Sequence, residues 1–276
     1  MQFIEPKVFV VAETVMDKEG LVAYLNEIGA EEWVDENLDL EEVPHAIPEC
    51  SELEKVVEVM GRLCYRSWAP GLNQNVTKIR EGNDEYLANI LKTKHGSVTE
   101  HGSVSFIFHD VSRVFTHELV RHRQGVAISQ ESLRYVRLTN LKAYLPMCFA
   151  QDAWAAARMR TIYEMLEKEQ LAFAEHFQLD APGTDFNKKK QITSAMRRLA
   201  PIGLATAIGW TANIRTLRFV LALRTHPSAE EEIRLVFKIV GEVVRERYPN
   251  LFSDMTWIPD TDGSGLGYWR FENEKI

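Results

Sequence analysis

The feature that most constrains the fold is a short cationic run at residues 112–135, SRVFTHELVRHRQGVAISQESLRY. Arginines and histidines accumulate there, although the whole chain has a formal net charge of −8. Such a cluster needs an anion, and the planar guanidinium suits both carboxylates of the protein and phosphates of a ligand. Charge alone leaves open whether Glu118 and Glu131 pair with it internally or a phosphorylated ligand binds. The cluster comprises Arg113, Arg121, Arg123, Arg134, His117 and His122.

The composition bounds the class of protein. With 276 residues, 45% of them hydrophobic, the chain fits one large domain with a substantial core. No apolar run approaches the roughly 20 residues that span a bilayer, and the N-terminal apolar stretch is typical of a strand rather than a signal peptide. Three widely spaced cysteines, Cys50, Cys64 and Cys148, suit a reducing compartment. We therefore expect a cytoplasmic protein that binds neither a membrane nor, given its acidity, nucleic acid.

Periodicity and capping residues predict most of the helices. Ser51 begins one of them with a capping box to Glu54. Ser228 and Glu231 form a second capping box, for a helix that runs to about residue 248. The expected core face of the first helix comprises Leu53, Val56, Val57, Met60, Leu63 and Cys64. The remaining helices are expected from about residue 83, over 112–123 and 152–177, before Pro201, and over 213–224.

Strands are expected at residues 7–13, as a short buried strand, around the alternating positions 104, 106 and 108, and at 202–210. The acidic stretch at residues 18–43 predicts a surface helix followed by a loop, inside a solvated insertion at about 14–48. The glycine-rich run at 263–267 lacks the strand-to-helix context of a nucleotide loop and predicts a flexible tail at about 255–276. Lys188, Lys189 and Lys190 are expected on a solvated face.

Two groups of histidines raise the question of a metal site. The run from His117 to His122 resembles the zinc-protease motif, but its histidines are five residues apart, which is about 500° of helical rotation, so they point apart. A metal-dependent hydrolase therefore fails on spacing, and we expect no metal. A second group lies at the entrance of the strand near 104, where polar side chains are well placed to line a pocket. It comprises His95, Ser97, Glu100 and His101.

The positions around residue 121 favour a large, phosphorylated ligand. Arg121, His122 and Arg123 are consecutive, so on a helix each points about 100° away from the last and they contact different parts of a ligand. Gly125 is expected to begin a loop. The expected loop carries hydroxyl, amide and guanidinium groups that suit a phosphate and a polar ring. These groups belong to Ser129, Gln130, Ser132 and Arg134.

Arg121-His122-Arg123, followed after eight residues by Ser132-Leu133-Arg134, resembles the RHRX(7–8)SXR signature of the flavin-dependent thymidylate synthases. The preceding EHGSVSFIFHDVSR and the following Tyr135-Val136 are also similar to that family. The resemblance covers residues from about 52 to 150 and from about 192 to 250. Residues 14–48 and part of 150–190 are not matched in detail.

The resemblance implies an α+β fold with an antiparallel β-sheet and long helices, in a single synthase domain over residues 1–276 that forms a homotetramer. It implies a methyltransferase that converts dUMP to dTMP for de novo nucleotide biosynthesis. FAD, reduced by NADPH, would be the hydride donor, and 5,10-methylenetetrahydrofolate the carbon donor. No protein nucleophile is required for this chemistry.

The same resemblance implies roles for individual residues. Arg224 matches the arginine that activates the uracil ring, where a cation stabilises developing negative charge. Arg197 matches an arginine that holds the nucleotide from a neighbouring subunit. The implied cofactor-binding residues are His101, Ser103, Arg121, His122, Arg123, Gln130, Asn213, Arg215 and Phe219. The implied substrate-binding residues are Glu118, Arg121, Gln130, Ser132, Leu133, Arg134, Arg197 and Arg224.

Two positions depart from the family pattern. Glu118 stands where a glutamine usually contacts the nucleotide, and a carboxylate there weakens phosphate binding unless an arginine such as Arg121 pairs with it. Phe219 stands where an asparagine or histidine usually faces the flavin, so packing would replace that contact. These departures keep a second interpretation open, in which the chain is a nucleotide-binding relative that retains the fold without turnover.

Overall fold

The computed structural model describes residues 1–37, 50–136, 138–260 and 262–274. The strands are β1 (Gln2–Ile4), β2 (Lys7–Glu13), β3 (Ser103–Ser112), β4 (Val126–Gln130), β5 (Lys142–Tyr144), β6 (Ala205–Asn213), β7 (Met255–Ile258) and β8 (Tyr268–Phe271). The helices are α1 (Lys18–Glu27), α2 (Glu31–Asn37), α3 (Glu52–Tyr65), α4 (Asn83–Lys92), α5 (Arg113–Leu119), α6 (Met147–Ala150), α7 (Ala153–His176), α8 (Phe186–Met196), α9 (Ile214–Thr225) and α10 (Glu231–Arg247). Short 3-10 turns occupy Gly96–His101 and Arg197–Leu199.

The strands form three sheets, and the α+β class is confirmed. The largest has the strand order β2-β3-β6-β4, while β1 pairs with β5 in parallel and β7 pairs with β8 antiparallel. The chain divides into two compact units. Unit 1 comprises Met1–Val10, Phe106–Thr211 and Ser228–Phe237, and unit 2 comprises Val11–Ser105, Ala212–Pro227 and Lys238–Ile276. The single domain over residues 1–276 stays a prediction.

An aromatic core fixes the elements of unit 1. The alternation expected around residue 106 is confirmed, because β3 buries Phe106 and Phe108 while β6 buries Trp210. Phe115 of α5 packs edge-on against Phe108, with ring centroids 5.4 Å apart. Phe237 of α10 packs edge-on against Trp210 at 5.7 Å. These contacts hold α5 and the first part of α10 firmly in place.

Helix α5 is shorter than the sequence predicts. Periodicity predicts a helix over 112–123, but α5 ends at Leu119, and residues 121–123 lie in the turn that precedes β4. Gly125 adopts a positive φ of 65°, which reverses the chain at low cost because glycine has no Cβ. Residues 129 and 130, expected in a loop, instead belong to β4, which pairs with β6.

In unit 2, the capping box of α3 is confirmed. Ser51 Oγ accepts a hydrogen bond from Glu54 N at 3.2 Å, and Glu54 Oε2 accepts one from Ser51 N at 3.0 Å. The expected core face is wrong at its end, since Leu63 is 48% exposed and Cys64 is also exposed. That end of the helix buries Arg62 instead.

Arg62 can be buried because its guanidinium is fully engaged. It donates to Glu58 Oε1 at 2.7 Å, to the carbonyl of Ser67 at 2.9 Å and to the carbonyl of Arg80 at 2.6 Å. A paired and hydrogen-bonded charge is the form in which arginine tolerates burial. Apolar periodicity alone cannot reveal such a network.

The expected solvated insertion is wrong for the residues that the structure describes. Helices α1 and α2 bury Leu25 and Trp33, and the indole of Trp33 packs edge-on against Trp68 at 5.1 Å. Residues 38–48 of the predicted insertion lie outside the described residues. Strand β2 is confirmed at 7–13, but most of its residues are exposed, contrary to the expectation of a buried strand.

The C-terminal region is also more ordered than expected. Strands β7 and β8 form an antiparallel pair that buries Trp269 and Phe271, so the flexible tail is wrong over these strands. Helix α10 begins only at Glu231, where the predicted capping box would end. In its first turn, Glu230 Oε2 accepts from Glu232 N at 2.9 Å and from Ile233 N at 3.3 Å, and the capping box of Ser228 and Glu231 stays a prediction.

The other helices agree with the sequence predictions within a few residues, namely α4, α7, α8 and α9. Strand β6 is displaced from the predicted range, because it begins at Ala205 and continues to Asn213. Among the helices of the described residues, none has the length and apolarity needed to cross a membrane.

Candidate functional site

The cationic turn, defined here as Arg121, His122 and Arg123, lies in unit 1 between α5 and β4. The backbone N–H of His122 donates to the carbonyl of Leu119 at 3.1 Å, which closes the end of α5. Arg121 and Arg123 are exposed and His122 is half-buried. Because the three residues follow the helix rather than extend it, their directions are set by the turn and not by helical rotation.

Two further arginines, Arg113 and Arg197, lie in the same unit. Arg113, the first residue of α5, is half-buried, and its Nη2 donates to the carbonyl of Glu131 at 3.2 Å. Its Nε is buried, and the described part of the chain offers that atom no partner. Burial lowers the pKa of Arg113, the nearby charge of Arg197 lowers it further, and Glu131 opposes both. Two guanidinium groups close enough to repel each other would be stabilised by a shared anion.

Residue assignment from the sequence missed a specific role for Arg113. The signal was present, because Arg113 belongs to the cationic run of residues 112–135. Its burial and its proximity to Arg197, 84 residues later in the chain, are properties of the tertiary structure.

The end of β4 is fixed to its neighbours through polar contacts. Gln130 Nε2 donates to Thr116 Oγ1 of α5 at 3.1 Å. The carboxylate of Glu131 accepts from the N–H of Ala207 at 3.1 Å, and Glu131 N donates to Ala207 O at 3.0 Å. The interpretation that Glu118 and Glu131 pair with the cationic cluster inside the protein is therefore supported only in part. The Glu131 side chain binds β6, and Arg113 contacts the backbone of Glu131 rather than its carboxylate.

Residues Ser132, Leu133 and Arg134 form a tight turn after β4. The carbonyl of Ser132 accepts from the N–H groups of Tyr135 at 2.9 Å and Val136 at 3.0 Å, and its Oγ accepts from Arg134 N at 3.3 Å. Leu133 packs against a buried cluster, which anchors the turn. The guanidinium of Arg134 is exposed and lies 5.6 Å from the ring centroid of Tyr135.

One lysine of the predicted solvated face belongs to this neighbourhood. Lys190 of α8 is half-buried, and its Nζ lies 5.5 Å from the ring centroid of Tyr135. The solvated-face prediction is therefore wrong for Lys190. Tyr135, which is 55% exposed, contacts two cations, Lys190 and Arg134, by cation–π geometry.

In unit 2, one face of α9 exposes Arg215, Phe219 and Leu223, which recur every four residues. Arg215 Nη1 lies 2.5 Å from Glu100 Oε1, with both side chains about half exposed. Asn213 is the N-cap of α9, and its Oδ1 accepts from Thr216 N at 2.9 Å. The structure thus brings Arg215 and Phe219 onto one accessible face.

The 3-10 turn before β3 joins this face of unit 2. The carbonyl of Gly102 accepts from Ile214 N at 2.9 Å, which places the residues on either side of Gly102 beside the start of α9. Those residues are His101, which is exposed, and Ser103, which is half-buried. Ser103 N donates to Thr14 Oγ1 at 3.0 Å. His101, Ser103, Asn213 and Arg215 therefore form one local group.

Arg224 does not share that accessible face. It follows Arg215 by nine residues, which is about 900° of helical rotation and therefore half a turn beyond two full turns. It is half-buried near the end of α9. Within unit 2, the implied catalytic arginine thus points away from the side that carries Arg215 and Phe219.

Glu118 lies in the last turn of α5 and is half-buried. Burial raises the pKa of Glu230, and the charges of Glu231 and Glu118 raise it further, which places Glu118 near other acids. His117 lies within α5 and His122 lies beyond its end. No group of three or more potential metal ligands occurs among the residues described by the structure.

Fold and cationic turn together define an α+β protein with two exposed arginines, Arg121 and Arg123, in the turn between α5 and β4. The fold is similar to that of a UMP/dUMP methylase from Streptomyces cacaoi whose crystal structure contains 5-Br UMP. The TM-score is 0.59 at 15% sequence identity, over 92% of this chain and 95% of the other. At that identity the likeness concerns the fold alone.

The family is shown by the sequence comparisons. The family model described as thymidylate synthase complementing protein matches residues 47–250. Flavin-dependent thymidylate synthases from Mycobacterium marinum and Mycobacterium tuberculosis are each 34% identical over 220 residues, which is 76% of this chain and 83% and 82% of theirs. The Mycobacteroides abscessus enzyme is 31% identical over 217 residues, 76% of this chain and 82% of its own. The chain belongs to the flavin-dependent thymidylate synthase family.

Proposed function

We propose that this chain is a flavin-dependent thymidylate synthase that methylates dUMP at C5 to give dTMP. The proposed carbon donor is 5,10-methylenetetrahydrofolate, and the proposed cofactor is FAD, which NADPH reduces. The observation that carries the proposal is that the charge of Arg197 acts on Arg113, the first residue of the helix that leads to the cationic turn, in a chain of this family. The proposed setting is the cytoplasm.

A phosphate dianion fits the Arg113–Arg197 pair. It would offset the repulsion between the two guanidinium groups. Ser132 and Arg134 lie on the turn that follows Glu131, whose carbonyl already binds Arg113, so they are available to extend the same site. We assign the phosphate of dUMP to this region. Because Arg113 and Arg197 lie in the same unit, Arg113 accompanies Arg197 whichever subunit's nucleotide is held.

The donor set also fits FAD. Exposed Arg121 and Arg123 suit a diphosphate, and exposed Phe219 offers an apolar surface to an aromatic ring. The family resemblance also assigns His122 and Gln130 of unit 1, and separately the local group around Asn213 of unit 2, to flavin binding. A bound and reduced FAD supplies a hydride, while the residues named here bind and orient it.

The proposed reaction replaces the C5 proton of the uracil ring with a methyl group. The one-carbon unit would bond to C5 and break its bond to the folate nitrogen, so that tetrahydrofolate leaves. The C5 proton would pass to solvent, and a hydride from reduced FAD would complete the methyl group. Arg224 is assigned to the uracil carbonyl, where its charge stabilises the negative charge that develops on the ring. Glu118 is assigned to the nucleotide side of the site.

A homotetramer is part of the proposal. Helix α7 exposes Trp154, Ile162 and Met165, and Trp154 is 75% exposed. Exposed apolar side chains of this size on a long helix favour contact with another protein surface. Light scattering on the purified protein would give the oligomeric mass.

The test is tritium release from dUMP labelled at C5, with FAD, NADPH and 5,10-methylenetetrahydrofolate. We expect release by the wild type and a strong loss in Arg224→Ala. Arg245→Ala is the matched control, since Arg245 is an exposed arginine of α10. No release from a flavin-loaded wild type would reject turnover and leave a nucleotide-binding relative. Glu118→Gln would then be the first reversion to assay.

A further inference from the structure

Glu232 is a buried carboxylate that the proposed reaction does not use. It lies in the first turn of α10 and is 1% exposed. Both of its oxygens accept hydrogen bonds from one residue, Ser112 at the end of β3. Ser112 N donates to Oε1 at 2.6 Å, and Ser112 Oγ donates to Oε2.

Ser112 connects Glu232 to α5 through hydrogen bonds. It is the N-cap of that helix, and its Oγ accepts from Val114 N at 3.1 Å and from Phe115 N at 3.2 Å. A hydroxyl whose proton is given to a carboxylate has its lone pairs directed at the helix N–H groups. Glu232 therefore determines the orientation of the cap.

Proposed ligand-binding residues lie at both ends of α5. Arg113 follows the cap directly, and its N–H donates to the carbonyl of Leu204 at 3.1 Å. The cationic turn follows the other end, and Thr116 in the middle binds Gln130. A shift of the first turn of α5 would therefore displace Arg113 and the cationic turn together.

We propose that Glu232 is a positioning residue of the nucleotide site: through Ser112 it holds the start of α5 and thereby places Arg113 and the cationic turn. This inference rests on the proposed function, because dUMP is the ligand whose binding it governs. It adds a residue that does not itself touch the substrate.

The surroundings of Glu232 make its charge state sensitive to pH. Burial raises its pKa to about 7, the two bonds from Ser112 oppose that rise, and the charges of Glu230 and Glu231 add to it. Above that pH the carboxylate accepts both bonds. Below it one oxygen carries a proton, and Ser112 loses an acceptor. Among the described residues, Tyr144 of β5 and Tyr163 of α7 also sense its charge.

The experiment measures dUMP affinity of the flavin-loaded, full-length protein by calorimetry, from about pH 6 to about pH 8. The variants are Glu232→Gln, Ser112→Ala and the two combined. Glu242→Gln, at an exposed position of α10, is the control. Circular dichroism and the flavin absorbance spectrum establish that each variant is folded.

We expect Glu232→Gln to weaken dUMP binding about tenfold at the upper pH, because the amide cannot accept both Ser112 bonds. The wild type should lose affinity toward pH 6 more steeply than Glu232→Gln, since titration of the dUMP phosphate is common to both. The double variant should bind no worse than the weaker single variant, because both substitutions interrupt the same contact. Glu242→Gln should match the wild type.

Three outcomes would overturn the inference. A folded Glu232→Gln with wild-type affinity and pH dependence would do so, as would additive losses in the double variant. Should Glu232→Gln fail to fold, Ser112→Ala alone decides, and wild-type affinity in that variant overturns the inference. Absence of dUMP binding by the wild type is a separate result: it would reject the proposed function on which the inference rests, whereas the three outcomes above reject the inference alone.

Discussion

Arg218 and Asp254 form a buried ion pair in unit 2, with Nη2 of the arginine 2.8 Å from Oδ2 of the carboxylate. Nη1 of Arg218 donates to the carbonyl of Leu251 at 2.6 Å, and its guanidinium carbon lies 4.5 Å from the ring centroid of Phe271. Asp254 Oδ2 also accepts from Asn273 Nδ2 at 2.9 Å. The pair ties α9 to the C-terminal strands, and the exposed Arg215 lies one helical turn before Arg218 on the same helix.

Replacing Arg218 should destabilise the protein strongly. Arg218→Met leaves the Asp254 carboxylate buried and unpaired, which costs about 3–5 kcal/mol. Urea unfolding would measure the loss, with Arg245→Met as an exposed control. A loss below about 1 kcal/mol would contradict a structural role for the pair.

Acid should weaken the same pair. Burial opposes it, but the hydrogen bond and charge of Arg218, together with Asn273, hold the pKa of Asp254 below its usual value of 3.8. A lowered folded-state pKa stabilises the protein above the unfolded-state pKa, and that stabilisation is lost as the pH falls through the folded-state pKa. The wild type should therefore lose more stability below about pH 4 than Asp254→Asn does. Parallel acid titrations of both proteins would contradict this.

Titration of Glu232 should give the opposite slope of unfolding free energy against pH, in a higher pH range. Its pKa is raised from 4.5 to about 7 in the folded protein, so the folded state binds more protons than the unfolded state between those values. Stability should fall as the pH rises through that window, by about 3 kcal/mol at about 1.4 kcal/mol for each pKa unit. Urea unfolding across that range should show the slope in the wild type and a flatter one in Glu232→Gln. An unchanged slope in the variant would exclude Glu232 as its source.

Arg113 should recognise the phosphate of the nucleotide. Arg113→Ala removes one charge-assisted contact and should weaken dUMP binding roughly tenfold to a hundredfold. Deoxyuridine, which lacks the phosphate, is the matched ligand control and should bind both proteins equally. Equal losses for the two ligands would show a general disturbance of the site instead. Calorimetric titrations with both ligands make the comparison.

Gly241 of α10 should tolerate no side chain. An added Cβ would lie 1.9 Å from Trp269 Nε1, so Gly241→Ala forces the indole or the helix to move. Overpacking of this kind costs about 1–3 kcal/mol. Gly20→Ala is the control, because a Cβ on that exposed helical glycine would come no closer than 3.4 Å to Asp17. Thermal unfolding should show a lowered Tm for the first variant and not for the second.

The elements that the sequence predicts well depend on neighbours only a few residues away. The capping box of Ser51 and Glu54 joins residues three apart, and the alternation of Phe106 and Phe108 follows from the two-residue period of a strand. The cationic run and the family signature are likewise local patterns that can be recognised from the sequence. These features follow from backbone geometry, which is the same wherever the segment lies in the fold.

The tertiary structure decided which polar groups are buried and what they bind. The second oxygen of Glu54 accepts from the N–H groups of Asn250 and Leu251, nearly 200 residues away, at 2.8 and 3.1 Å. Arg62 is buried where the helical pattern favoured Leu63, because three acceptors converge on its guanidinium.

The candidate site divides in the same way. Sequence alone singled out Arg121, His122 and Arg123, but the end of α5 at Leu119, the approach of Arg113 to Arg197 and the bonds from Ser112 to Glu232 required the fold. A buried charge is stable only when other groups of the protein replace the water molecules that it loses on burial. Those partners come from distant parts of the chain, and so packing, rather than local pattern, selects them.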